Sequence, residues 1–155
     1  MFVLLNHLRR IRQDIAAPPP VTRSSLAMRH VDAGSCNGCE HELTATANPF
    51  YDLSQYGLGI VASPRHADVL LVTGTITTRM KPALLAAHDA MPEPRLVAAL
   101  GDCALGHNLL GQPDQLADPL EQILPVDLRI PGCPPTPRAI AAALIAALEQ
   151  RSRGR

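Results

Sequence analysis

The sequence is poor in aromatic residues and contains no tryptophan. Only two tyrosines and two phenylalanines occur among its 155 residues, so the core must be built from leucine, valine, isoleucine and alanine. A nucleic-acid reader presents a basic face with aromatic side chains on which bases stack, and no such face is indicated here. We therefore expect no nucleic-acid partner.

Long apolar runs are also missing. No stretch approaches the roughly 20 apolar residues that a membrane-spanning helix needs. The short apolar run at residues 2–5 is not followed by the small-residue cleavage pattern of a secretory signal. These absences predict a soluble or peripheral protein of the cytoplasm, where cysteines stay reduced and favour metal binding over disulfide formation.

The motifs of self-sufficient enzymes are absent as well. The chain has no Walker-type phosphate loop, no Gly-x-Gly-x-x-Gly motif and no serine–histidine–aspartate grouping. We expect the chain alone to catalyse nothing beyond electron transfer, and any chemistry on a substrate to belong to a partner.

Formal net charge is zero, but the charges are unevenly placed. Residues 1–30 carry five arginines against one acid, residues 31–150 carry six basic residues against thirteen acids, and residues 151–155 carry three arginines and no acid. Basic ends of this kind suit contact with an acidic partner or an anionic membrane surface, although solvated tails explain them equally well.

The chain divides into three predicted parts. Residues 1–25 form an amphipathic helix and a proline-rich linker, residues 26–150 form the main domain, and residues 151–155 form a basic tail. The helix is indicated by an apolar stripe at helical spacing, formed by Leu4, Leu8, Ile11 and Ile15. We expect this stripe to dock on a membrane surface or in a partner's groove, packing on the chain's own domain being the alternative.

Short apolar runs alternate with helical patterns through the main domain. Strands are predicted at residues 26–33, 59–62, 67–74, 95–100 and 126–130, helices at 40–47, 82–90 and 136–150, and a helical turn within 116–123. Residues 67–74 form the clearest strand, since a continuous apolar run is typical of a parallel strand buried on both faces. This alternation predicts an α/β fold with a flavodoxin-like parallel sheet and helices on both faces.

The four cysteines occur where predicted strands end. Cys36 and Cys39 form a Cys-x-x-Cys pair, and Cys103 and Cys133 stand alone. Because the carboxyl ends of parallel strands meet at one edge of a sheet, we expect these loops to deliver four thiolates to one place. Four thiolates suit a [4Fe-4S] cluster or a structural zinc ion. Structural zinc sites more often use two Cys-x-x-Cys pairs, so the spacing favours iron–sulfur while zinc and no metal remain open.

Four segments of the main domain match a known family in order. Residues 35–42, 63–74, 125–127 and 130–137 resemble the small electron-transfer subunit of membrane-bound, energy-converting [NiFe]-hydrogenases of the formate-hydrogenlyase and hydrogenase-4 type. They are also similar to the homologous subunit of complex I, the NADH-quinone oxidoreductase. Two residues separate the first two cysteines, as in the hydrogenase branch, whereas residues 75–82 look more like the complex I version.

The resemblance implies one [4Fe-4S] cluster held by Cys36, Cys39, Cys103 and Cys133. It would be the last electron carrier before an active site at the interface with a larger catalytic subunit. A ferredoxin-like iron–sulfur subunit, membrane subunits and a position on the inner face of the cell membrane are also implied. The alternatives are the corresponding subunit of a quinone-reducing complex I-type enzyme, a zinc-stabilised structural module, and a relic subunit that passes no electrons.

Three acidic residues near the cysteines are singled out. Glu42 matches an acid that in the family is thought to lie near the cluster and to take part in proton or quinone chemistry. The alternative is that Glu40 and Glu42 only complement the dipole of the helix whose first turn they occupy. Asp102 stands where the family usually has a small residue, and it is expected to place a carboxylate near the cluster. Residues 104–118 also depart from the family's glycine-rich stretch.

Overall fold

The computed structural model describes residues 25–107 and 113–153. Within them, five parallel strands form one sheet in the order β2-β1-β3-β4-β5. The strands are β1 (Leu26–Asp32), β2 (Leu58–Ile60), β3 (Val69–Thr73), β4 (Leu96–Leu100) and β5 (Leu128–Ile130). This is the strand order of flavodoxin-like folds, so the predicted α/β class and the parallel sheet are confirmed.

Helices connect the strands. They are α1 (Gly38–Ala45), α2 (Lys81–Asp89), α3 (Leu120–Ile123) and α4 (Pro137–Arg153). Short 3₁₀ turns occur at Leu53–Tyr56, Pro64–His66 and Pro113–Gln115. Each strand and helix predicted within residues 26–150 has its counterpart, shifted by a few residues at most. At the start of α4, the hydroxyl oxygen of Thr136 accepts a hydrogen bond from the N–H of Ala139 at 3.3 Å, which makes Thr136 the predicted cap.

The sheet is covered on both faces by apolar side chains. Every residue of β3 is buried, which explains its uninterrupted apolar sequence. On one face the core includes Leu43 of α1 and Ile140 of α4. On the other face it includes Leu84 of α2 and Leu120 of α3. No helix within residues 25–107 and 113–153 has both the length and the apolar character to cross a membrane.

The last helix runs further than the sequence indicated. Arg151 lies in α4 rather than in a separate tail, and its guanidinium Nη2 lies 2.9 Å from Oδ1 of Asp68, just before β3. Arg151 is drawn into the domain because this ion pair joins the end of α4 to the sheet. Residues 154–155 and the predicted amphipathic helix and linker lie outside the described residues.

Candidate metal centre

The first cysteine loop begins where β1 ends. Oδ1 of Asp32 accepts hydrogen bonds from the N–H groups of Gly34 at 2.9 Å and Ser35 at 2.8 Å, which turns the chain away from the strand. Asn37 then adopts a left-handed conformation, and α1 starts at the next residue. The Cys-x-x-Cys pair therefore straddles the start of a helix, with Cys39 in its first turn.

A polar network holds this loop against the sheet. The carboxylate of Glu40 accepts one hydrogen bond from the hydroxyl of Ser35 at 2.8 Å and another from the hydroxyl of Thr73, the last residue of β3. Nε2 of His30 lies 2.8 Å from the same Thr73 oxygen. Glu40, which the sequence placed only in a helix dipole, thus links the start of α1 to the end of β3.

The network also fixes which ring nitrogen of His30 carries a hydrogen. Thr73 has a single hydroxyl hydrogen, which it donates to Glu40, so Nε2 of His30 must be the donor in the histidine–threonine contact. Burial lowers the pKa of His30 below its ordinary value of 6.5, although the charge of Glu40 acts in the opposite direction. His30 is therefore neutral at neutral pH, and its 3.6 Å contact with Glu40 is not an ion pair there.

The two single-cysteine loops run side by side at the same edge. The N–H of Gly101 donates to the carbonyl of Ile130 at 2.8 Å, and the carboxylate of Asp102 accepts from the N–H of Gly132 at 2.7 Å. Gly101 has φ +90°, and a Cβ atom there would lie 2.5 Å from Sγ of Cys39. Only glycine lets this loop approach the first one so closely.

All four cysteines line one cavity of about 130 Å³. Cys36 and Cys133 are exposed, whereas Cys39 and Cys103 are partly buried. Three glycines and Asp102 are among the other residues that line it. The structure therefore brings together the four cysteines that the sequence singled out.

The electrostatics of the cavity disfavour an isolated thiolate. Burial, together with the charges of Glu40 and the other three cysteines, raises the pKa of Cys39 from its ordinary value of 9.0 to about 12. Four thiolates at this place require a positively charged group among them, and a bound metal provides such a charge. The chemistry of this ligand set therefore fits a metal centre.

Zinc and a [4Fe-4S] cluster require different spacings of the four sulfur atoms. In residues 25–107 and 113–153, no three Cys, His, Asp or Glu side chains converge closely enough to hold a single metal ion. A tetrathiolate zinc site needs four sulfur atoms about 2.3 Å from one ion, hence roughly 4 Å or less from one another. A [4Fe-4S] cluster binds each thiolate through a different iron and so takes ligands that are further apart.

Glu42 lies on α1, three residues after Cys39, and is partly buried. Residues three apart on a helix share a face, so Glu42 lies on the side of α1 that carries Cys39. Within the described part of the chain, no hydrogen bond or ion pair engages its carboxylate. Sequence reasoning favoured Glu42 over Glu40, yet Glu40 is the acid built into the loop. The short spacing between Ser35 and Glu40 did not reveal this role of Glu40, because the other partner of Glu40 is Thr73, which is distant in the chain.

Comparison with known proteins places this geometry in a family. The family model described as NADH ubiquinone oxidoreductase, 20 Kd subunit, matches residues 36–147. The chain belongs to this family. It is a family of oxidoreductase subunits, as the resemblance indicated, and the matched region contains all four cysteines.

Two relatives carry hydrogenase names. The chain is 41% identical over 124 residues to a probable membrane-bound hydrogenase subunit mbhJ of Pyrococcus furiosus, covering 80% of this chain and 74% of the relative. It is 39% identical over 138 residues to formate hydrogenlyase subunit 7 of Escherichia coli, covering 87% of this chain and 54% of that protein.

Solved structures agree on the fold. A chain of an archaeal membrane-bound sulfane sulfur reductase superposes with a TM-score of 0.71 at 27% identity, over 84% of this chain and 72% of that one. The [NiFeSe] hydrogenase of Desulfovibrio vulgaris Hildenborough superposes with a TM-score of 0.61 at 18% identity, over 86% of this chain and 63% of that one. The second likeness supports the flavodoxin-like architecture alone.

Proposed function

We propose that this chain is an electron-transfer subunit that holds one [4Fe-4S] cluster on Cys36, Cys39, Cys103 and Cys133. The observation that carries the proposal is the convergence of these four side chains on one cavity at the carboxyl edge of the sheet. When bound, such a cluster supplies one-electron transfer between neighbouring redox centres. The chain's own contribution is to orient the thiolates and to set the polarity around them.

Iron–sulfur is preferred to zinc because the chain has a single Cys-x-x-Cys pair, whereas structural zinc sites more often use two. The glycine-lined wall also favours the larger group. Backbone N–H groups near a cluster donate to its sulfur atoms, and glycine lets the backbone come close enough.

The partners are proposed to be those of a membrane-associated oxidoreductase. Two cysteines reach the surface, so a cluster in this cavity lies where a docked subunit can exchange electrons with it. We propose a large catalytic subunit at this edge, together with a ferredoxin-like iron–sulfur subunit and membrane subunits, on the inner face of the cell membrane. The names of two relatives, a membrane-bound hydrogenase subunit and a formate hydrogenlyase subunit, favour the hydrogenase branch.

A second candidate function is that of the corresponding subunit in a quinone-reducing, complex I-type enzyme. It is supported by the family description, NADH ubiquinone oxidoreductase, 20 Kd subunit. In either branch, Glu42 is proposed to take part in proton or quinone chemistry. Its support is the position of Glu42 on α1, three residues after Cys39, without a partner among the described residues.

The test is to purify the native complex anaerobically through a tag on this chain and to measure iron, nickel, zinc and acid-labile sulfide. Iron and sulfide with about one nickel per complex would support the hydrogenase branch, since nickel belongs to the catalytic partner. Iron and sulfide without nickel would favour the quinone-linked branch. One zinc and no sulfide would overturn the proposal.

The ligands are tested separately by low-temperature EPR of the reduced complex. Cys36→Ser and Cys133→Ser should each abolish the signal of this cluster. His41→Ala is a matched control, because His41 is an exposed residue two positions after Cys39. An unchanged signal in both cysteine variants would exclude these residues as ligands.

A further inference from the structure

Three aspartates make the same pair of hydrogen bonds to a residue of a neighbouring segment. In each pair, the aspartate N–H donates to the partner's carbonyl, and the aspartate carboxylate accepts from the same partner's N–H. The three pairs are Asp68 with Ala27, Asp127 with Val97, and Asp102 with Gly132. Each aspartate side chain therefore adds a hydrogen bond between two neighbouring segments at an edge of the parallel sheet.

Each such pair of hydrogen bonds is called a clamp. Two of the three clamps lie at the amino-terminal edge of the sheet, away from the cysteines. Asp68 directly precedes β3, and Asp127 directly precedes β5. Their partners belong to the adjacent strands β1 and β4. They tie the starts of neighbouring strands together, which is a purely structural task.

The third clamp lies at the opposite edge, where the cysteine loops emerge. Asp102 and Gly132 both lie just beyond the ends of β4 and β5, and their two hydrogen bonds are 2.9 Å and 2.7 Å long. Each is the immediate neighbour of a cysteine, Cys103 and Cys133 respectively. The clamp therefore fixes the separation of two loops whose strands have already ended.

Gly132 is suited to its place in the clamp. It has φ +136°, and a Cβ atom there would lie 2.7 Å from Cα of Pro135. Glycine is therefore needed for the backbone to adopt this conformation, in which the N–H of Gly132 donates to the Asp102 carboxylate. Both residues line the cavity. The Asp102 carboxylate is thus held in place by the backbone of a residue that lines the cavity.

We propose that Asp102 is a positioning residue for the cluster, holding Cys103 and Cys133 at their separation and lowering the midpoint potential of the cluster through its charge. This inference rests on the proposed function. Reduction adds negative charge to the cavity, and a fixed carboxylate on the wall opposes that addition. Hydrogen bonding and nearby charge are the ordinary means by which a protein tunes a cluster.

The charge is tested with Asp102→Asn and the matched control Asp127→Asn in the anaerobically purified complex. Asparagine keeps an oxygen that can accept the hydrogen bond but removes the negative charge. Asp127→Asn makes the same change in the clamp that joins the same two strands, β4 and β5, at the edge of the sheet away from the cysteines. Reductive titration followed by EPR should give a more positive midpoint potential for Asp102→Asn and an unchanged one for Asp127→Asn. Equal potentials for wild type and Asp102→Asn would overturn the role of the charge.

The positioning role is tested with Asp102→Ala and Asp127→Ala, which remove the acceptor. Iron release to a chelator should be about 10-fold faster for Asp102→Ala than for wild type, and close to wild type for Asp127→Ala. Equal release from the two variants would overturn this role. If Asp102→Ala fails to load iron while Asp102→Asn and Asp127→Ala load it, positioning is supported. A wild-type complex without iron and sulfide would instead overturn the proposed function, and this inference with it.

Discussion

The hydroxyl group of Thr73 donates a hydrogen bond to the carboxylate of Glu40, although the two residues are 33 positions apart in the chain. The contact joins the end of the central strand to the first turn of α1. The same carboxylate accepts from Ser35, so one acid braces the loop that carries Cys36 and Cys39. Removing its acceptor capacity would leave partly buried hydroxyl groups without a partner.

Glu40→Gln should therefore destabilise the chain, because a glutamine amide offers one acceptor oxygen where the carboxylate offers two. We expect the free energy of unfolding to fall by about 1–3 kcal/mol. Glu42→Gln is the matched control, and its effect should stay within about 0.5 kcal/mol, since Glu42 has no partner in the described ranges. Urea denaturation of the full chain measures both values. Equal losses for the two variants would contradict the bracing role of Glu40.

The neutral state of His30 predicts a dependence of stability on pH. Burial lowers its pKa in the folded chain, so below the ordinary value of 6.5 the unfolded chain binds the proton more tightly. The stability that His30 contributes is complete above pH 6.5 and is lost as the pH falls through the folded pKa. Wild type should therefore lose stability more steeply than His30→Gln as the pH falls below 6.5.

Urea denaturation across this pH range measures the two slopes. His66→Gln is the control, because His66 is exposed. Its slope should equal that of wild type. If His30→Gln also keeps the wild-type slope, the pH dependence does not come from His30.

Gly101→Ala should disrupt the metal centre. The new Cβ atom would lie 2.5 Å from Sγ of Cys39, and the backbone has φ +90°, which alanine adopts only with strain. The left-handed conformation alone costs about 1–2 kcal/mol, and the clash displaces a thiolate as well. We expect a clear loss of iron and sulfide from the purified complex.

Gly59→Ala provides the comparison for this substitution. A Cβ atom at Gly59 meets nothing within 4 Å, so the metal content should not change. Iron and sulfide analysis of the two complexes decides the matter. Normal iron in Gly101→Ala would mean that Cys39 does not need this close approach.

The raised pKa of Cys39 predicts slow alkylation of the metal-free chain. A thiol with a pKa of about 12 remains neutral at physiological pH, and the thiolate is the form that reacts. With iodoacetamide at about pH 8, Cys36 and Cys133 should be labelled first because they are exposed, and Cys39 well after them. Peptide mass spectrometry over time measures the order. Labelling in urea should remove the difference, and equally fast labelling of Cys39 in the folded chain would contradict its protonated state.

Much of the fold was predictable because its signals are local. The apolar run at residues 67–74 indicated a buried strand, and β3 is buried at every position. Four cysteines following strand ends indicated one shared edge, since parallel strands point their carboxyl ends the same way. The structure places all four around one cavity for that reason.

The roles of the acids were not predictable in the same way. Asp102 was expected to place a charge near the cluster, but its pair of hydrogen bonds with Gly132 was not foreseen. Glu40 was ranked below Glu42, yet Glu40 is the acid that braces the loop. Both roles depend on partners about 30 residues away, which no local pattern identifies.

Local patterns were enough to predict the strands and helices of residues 26–150 and the set of four cysteines, because apolar periodicity and the residues at strand ends depend on neighbouring positions in the chain. Which acid braces which loop depends on how the elements assemble. The pairing of Asp32 with Thr73 between β1 and β3 brings Thr73 to the first cysteine loop. The pairing of Leu100 with Ile130 brings Asp102 to Gly132. Such contacts follow from the register between strands, and register is a property of the assembled sheet.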